Sequence, residues 1–139
     1  MESGMGCTRV RSSDPLPTYL LTQGQADQLA QEWLESWNSH DLDRIMGHYN
    51  EQSSLSALSS WKLLNDRTGT VKGKASLRDY FSKGLAEFPN LIFHLHKVFP
   101  GMRSVMVYYE SVNDLIAAET MELDDQRLIA RVLAHYAPK

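Results

Sequence analysis

Residues 91–136, LIFHLHKVFPGMRSVMVYYESVNDLIAAETMELDDQRLIARVLAHY, decide the fold of this chain. Leu91, Phe93 and Leu95 alternate with Ile92, His94 and His96. Val105, Val107 and Tyr109 alternate with Met106 and Tyr108, and Val132, Ala134 and Tyr136 with Arg131, Leu133 and His135. A period of two over successive short runs, with few helix formers between them, predicts a meandering antiparallel sheet. Neither face of it is cleanly polar, so one face is expected to lie under the chain's own helices and the other, at least partly, under a partner. Glu119 has the parity of Ala117, Met121 and Leu123. That places a carboxyl group on an apolar face, where desolvation should raise its pKa.

Upstream of the sheet the period changes to that of helices. Thr22 and Gln25 have the spacing of a capping box, in which a hydroxyl and an amide satisfy two orphan N–H groups. Ala26, Leu29, Ala30, Trp33, Leu34 and Trp37 then form one apolar stripe opposite Gln28, Gln31, Glu32 and Glu35. Asp41 can cap a second, shorter helix with Leu42, Ile45, Met46 and Tyr49 on one face. Ser53–Ser60 reads as a serine-rich strand around Leu55 and Ala57. The turn formers Asn65, Asp66, Gly69 and Gly73 mark a loop anchored by Trp61, Leu63 and Leu64. A third helix is expected from Ala75 to Glu87, burying Leu77, Tyr80, Phe81 and Leu85 and ended by Pro89. Residues 1–18, with Pro15 and Pro17 and few apolar side chains, are expected to be a mobile arm, leaving 19–139 as a single domain.

A chain of 139 residues, 42% hydrophobic, has room for one core and no second domain. Its net charge of -3 gives no basis for binding nucleic acid, which requires clustered cations. Lys72, Lys74, Arg78 and Lys83 read as the solvated face of one helix. The lone Cys7 excludes an internal disulfide framework, and no apolar run approaches the length of a membrane span or a signal-peptide core. A cytoplasmic protein that does not engage a membrane is expected.

Three stretches, WLESWNSHDLDRIMGHY, GKASLRDYFSKGL and AAETMELDDQRLIARVLAHY, resemble the nuclear transport factor 2-like superfamily. Within it they are most similar to the SnoaL-like branch, which includes ketosteroid isomerases and polyketide cyclases. The resemblance covers residues 26–136 and implies a cone-shaped α+β domain, three helices packed on a curved antiparallel sheet. It also points to a homodimer. The isomerases' residues carry over only in part. Trp33 stands where the family's oxyanion-hole tyrosine would be, Phe81 replaces its supporting tyrosine, and Ala57 falls at the position of the aspartate base. Tyr49 matches a family tyrosine, and Glu119 falls where the isomerases keep a protonated aspartate, a neutral acid that donates a hydrogen bond to an oxyanion. Ketosteroid isomerisation by that mechanism is therefore not expected, since Ala57 cannot accept a proton.

The reading is a small-molecule-binding protein without a cofactor, whose ligand is largely apolar and carries one polar group. Trp33 and Trp37 of the first helix, Tyr49, Leu55 and Ala57 are expected to line its pocket, with Trp61 of the loop and Tyr80 and Phe81 of the third helix. The sheet would add Met121, Val132, Ala134 and Tyr136. Glu119 is the polar anchor, or the acid or base if the chain is a cofactor-free isomerase, cyclase or hydratase. Tyr49, Tyr108, Tyr136 and Trp33 are its candidate hydrogen-bond donors. A further alternative is a dimerisation or assembly module with a filled core. His94 and His96 share one face, yet the motif lacks a third ligand from that face, so no metal site is assigned.

Overall fold

The computed structural model describes residues 19–58 and 67–139. Helix α1 (Gln23–Ser39) starts at the predicted cap: Thr22 Oγ1 accepts from the Gln25 N–H, and the Gln25 side chain accepts from the Thr22 N–H. Such a cap contributes about 1 kcal/mol. Its stripe buries Ala26, Ala30, Trp33, Leu34 and Trp37. His40 ends it in a left-handed conformation. Asp41 then caps α2 (Leu42–Met46), accepting from the Arg44 N–H.

The C-terminal third forms the meander. Strands β3 (His94–Gly101), β4 (Ser104–Glu110), β5 (Leu115–Leu123) and β6 (Ile129–Pro138) pair antiparallel in succession. Strand β1 (Tyr49–Ser56) pairs parallel with β6 and antiparallel with β2 (Thr70–Lys72), giving the order β2-β1-β6-β5-β4-β3. The six-stranded sheet is therefore mixed. A parallel pair needs a long connection, and β2, the helix α3 (Lys74–Glu87) and strands β3, β4 and β5 all intervene between β1 and β6. Helix α1 packs on β3 and β4, α3 on β1 and β2, and α2 touches both helices. This is an α+β arrangement with the core between helices and sheet.

Two local readings change. Tyr49 does not extend the second helix but opens β1. The helix stops at Met46, and the Ile129 N–H donates to the His48 carbonyl at 2.7 Å, drawing the chain into the sheet one residue earlier. The strand expected over Ser53–Ser60 thus runs Tyr49–Ser56. The expected loop up to Gly73 contains β2, too short for its alternation to show in sequence. Val71 is buried opposite Leu55, and the Gly73 N–H donates to the Ser53 carbonyl at 2.8 Å. Gly73 adopts φ +90°, open to glycine at little cost, in turning from β2 into α3.

The ends of the elements are fastened by polar side chains. Asn38 donates to the Phe93 carbonyl at 3.0 Å and accepts from the Phe93 N–H at 2.7 Å, while His40 Nε2 meets the Leu91 carbonyl at 2.7 Å. At the other end the Arg103 N–H donates to the Tyr19 carbonyl, the Arg103 guanidinium stacks over the Tyr19 ring, and Leu20 bridges Met102. The arm 1–18, including Cys7, and the loop residues Trp61, Leu63 and Leu64 lie outside the described residues. Lys74, Arg78 and Lys83 each meet a carboxylate, Glu51, Asp43 and Asp79 respectively. Lys72 belongs to β2 rather than to the helix. Among the described residues no helix is long and apolar enough to cross a membrane.

Candidate functional site

Alternation along β5 brings Ala117, Glu119, Met121 and Leu123 to the helix-covered face, and Glu119 is only 5% exposed. The Tyr109 hydroxyl of β4 donates to Glu119 Oε2. Their strands pair with Val107 directly opposite Glu119 and Tyr109 opposite Ala117, so the bond runs diagonally across one face. Of the donors expected from sequence, Tyr108 points the other way, its ring against His96 on the outer face. The partner is Tyr109, which parity with Val105 and Val107 could have identified.

Around this pair the core is aromatic. Trp33 stacks on Phe93 with centroids 6.1 Å apart and meets Tyr109 edge-on at 5.4 Å. Trp37 packs edge-on against Phe81 at 4.9 Å, and Phe81 lies 5.2 Å from Tyr49 and 5.7 Å from Tyr80. The Trp33 indole donates to the Tyr49 hydroxyl at 3.0 Å. Seven of the twelve expected pocket residues, Trp33, Trp37, Tyr49, Tyr80, Phe81, Met121 and Val132, are buried in this core. Leu55 and Ala57 are buried on the inner side of β1 and just after it, and Ala134 and Tyr136 are half-buried on β6. Trp61 lies outside the described residues. Phe93, whose alternation with His94 puts it on the inner parity but which is not among the expected pocket residues, joins this core just before β3, its backbone held by Asn38.

The electrostatics follow from burial. Desolvation raises the Glu119 carboxyl from the ordinary 4.5 to about 7, against the opposing effect of the Tyr109 bond. Burial, and then the Glu119 charge, push the Tyr109 and Tyr49 phenols well above their ordinary value. Trp33 and Trp37 both lower Tyr49, yet Trp37 Nε1 closes no hydrogen bond of normal geometry. Among the described residues, it and Ser53 Oγ are buried without a partner. Near neutral pH the centre thus holds one carboxyl that can gain or lose a proton, bonded to a phenol that stays neutral.

A groove of about 560 Å³ lies where β1 ends beside β6. Ala57 and Ala134, both expected pocket residues, are on its wall. Ala134 is the cross-strand partner of Glu119, so the groove approaches within one strand of the buried carboxyl. A second hollow of about 320 Å³ lies between the end of α3 and Val112, away from this centre. Among the described residues no three His, Cys, Asp or Glu side chains are placed to hold a metal ion. His96 Nε2 instead meets Glu110 at 3.3 Å on the exposed face.

Helices on one face of this mixed sheet, with an acid in the core between them, make a cystatin-like, nuclear transport factor 2-like fold. A family model described as the SnoaL-like domain matches residues 30–137, and the chain belongs to that family. A SnoaL-like protein of unknown function from Burkholderia thailandensis E264 is 30% identical, with a TM-score of 0.82 over 85% of this chain and 98% of that one. The epoxide hydrolase/cyclase-like enzyme SalBIII, of pyran ring formation in the polyether salinomycin, shares the fold at 15% identity. Its TM-score is 0.64 over 82% of this chain and 92% of that one. A protein of unknown function with cystatin-like fold from Methylobium petroleophilum PM1 is 15% identical, with a TM-score of 0.65 over 86% of this chain and 80% of that one. No curated protein matches the chain.

Proposed function

We propose that this protein binds a small, largely apolar molecule carrying one polar group, with Glu119 as the anchor for that group. The observation that supports this is a carboxyl buried on an apolar face, bonded to Tyr109 and one strand from an open groove. Burying an acid costs free energy unless it is partnered, and the one phenol bonded to it among the described residues leaves acceptor and donor capacity on the carboxyl for a ligand. A thermal-shift screen of steroid-like and polyketide-like compounds tests the reading, because a ligand that binds only the native state raises its stability. Glu119→Gln should fold and change the affinity of any hit. A hit whose affinity is unaffected by Glu119→Gln would remove the anchor role, and a screen without hits would remove the binding function.

A second reading is a cofactor-free isomerase, cyclase or hydratase. Titration of Glu119 near neutrality favours it, since a general acid or base works best when its pKa lies close to the working pH. Ala57, in the family's base position, speaks for binding without turnover. Turnover of a ketone, enol or epoxide that Glu119→Gln abolishes while binding survives would decide for the enzyme.

The outer face of the sheet carries Phe99 and Met106 side by side in register, 47% and 40% exposed, with Tyr108 and Leu133 half-buried nearby. Exposed apolar side chains in one patch fit an interface. This face, centred on Phe99 and Met106, is our proposal for a two-fold homodimer; Leu133 at its margin also stands on the groove wall.

A further inference from the structure

The groove beside Glu119 carries its own chemical signature. Four of its wall residues are apolar: Ala57 and Leu58 following β1, and Leu133 and Ala134 on β6. Leu58 is 57% exposed, a large apolar side chain turned to an open hollow. The charged and titratable groups on the wall are Arg67 and His135, and no Asp or Glu lines it among the described residues. This occurs in a chain whose net charge is -3. Arg78, Arg103 and Arg131 each meet a carboxylate, from Asp43, Asp125 and Glu122. Arg67, like Arg44 and Arg127, meets none among the described residues, and of these three it alone lines the groove. The volume, about 560 Å³, is that of a pocket for one small organic molecule.

We infer that the ligand is an amphiphilic carboxylic acid, its apolar body along Ala57, Leu58 and Ala134 and its carboxylate at Arg67 and His135 on the rim. The inference rests on the binding function proposed above and deepens it by assigning the ligand's charge. Guanidinium is the side chain best matched to a carboxylate, through two parallel N–H···O bonds. Ser56 and Thr68 add hydroxyl groups to the same wall. The second polar group of such a molecule, a hydroxyl or a carbonyl, would lie deeper, towards Glu119, behind the small side chain of Ala134. The two polar ends are thereby told apart: a fixed cation at the mouth selects the anion, and the buried carboxyl within the sheet favours a neutral hydroxyl or carbonyl over a second anion. A carboxylate brought to the inner end would face a second acid in a low dielectric.

The experiment compares acids with their uncharged twins. Hydroxylated fatty acids of eight, twelve and sixteen carbons and one hydroxylated steroid acid, each beside its methyl ester, are titrated calorimetrically into the full chain, below their critical micelle concentrations. At least one acid should bind about tenfold or more tighter than its ester, with a preference that shrinks as salt is raised. Arg67→Gln should bring that ratio towards one, and Arg67→Lys should restore part of it. Glu119→Gln should weaken acid and ester by a similar factor, leaving the ratio in place. Equal binding of acid and ester, or a ratio that survives Arg67→Gln, would overturn the inference while the binding function stands. Failure of every acid and every ester to bind would overturn both.

Discussion

Tyr109 and Glu119 are bonded side chain to side chain across β4 and β5, although the residue facing Glu119 in register is Val107. The diagonal matters because it leaves the space directly opposite Glu119 to a small apolar side chain on either neighbouring strand, Val107 on β4 and Ala134 on β6. Among the described residues the carboxyl is thus hydrogen-bonded from the β4 side, by Tyr109. Its chemistry is set by one phenol and by its burial.

That environment makes stability depend on pH. The native carboxyl titrates at about 7 and its ordinary value is 4.5, so between the two the native state binds more protons than the unfolded chain. The contribution of Glu119 is therefore fully present below the ordinary value and is lost as pH rises through about 7, roughly 3 kcal/mol across the window by linkage. Glu119→Gln removes this titration. Urea melts from about pH 4 to pH 8 should show the variant gaining on the wild type by that amount, and a constant difference would mean that the carboxyl titrates as if in water.

Tyr109→Phe tests the bond itself. The hydroxyl opposes the upward push of burial, so its loss should raise the Glu119 titration further, as read by the carboxyl's infrared or carbon-13 signal. Stability should fall by about 1–3 kcal/mol at pH 8, where the ionised group loses its donor. An unmoved titration would place the phenol's proton elsewhere.

Asn38→Ala should cost about 1–3 kcal/mol, since it leaves the Phe93 N–H and carbonyl without their side-chain partner at a part-buried site. The loss should be accompanied by a change in near-ultraviolet circular dichroism, because Phe93 stacks on Trp33. Lower stability with an unchanged aromatic signal would show that packing alone holds Phe93 in place.

Met106→Glu should shift sedimentation from dimer to monomer at micromolar concentration while ligand binding in the groove persists. Its side chain is on the outer face beside Phe99 and away from Glu119. A wild-type chain that sediments as a monomer would remove the dimer.

Several features were legible in the chain itself because they are local. The Thr22–Gln25 box, the stripe from Ala26 to Trp37 and the alternation along β4 and β5 depend on periods of 3.6 and 2.0 that any short window displays. The inward parity of Glu119 came with them. Alternation could not settle Tyr49: helix and strand periods agree over so short a run, and the decision fell to a backbone bond with Ile129, remote in sequence. Strand β2 was invisible for the same reason, three residues whose only claim to be a strand is pairing with β1.

The chain by itself thus determined the α+β class, the order of helices and meander, the SnoaL-like kinship and the placing of an acid on an apolar face. Only the tertiary structure decided that Tyr109 is that acid's partner, that Trp33 donates to Tyr49 instead and stacks on Phe93, and that β1 lies parallel to β6 with a groove at its end. Periodicity assigns a side chain to a face, whereas register and sheet order assign its neighbours, and those depend on contacts between segments far apart in sequence. The acid was readable from one strand; its hydrogen bond required two, and the groove beside it required the whole sheet.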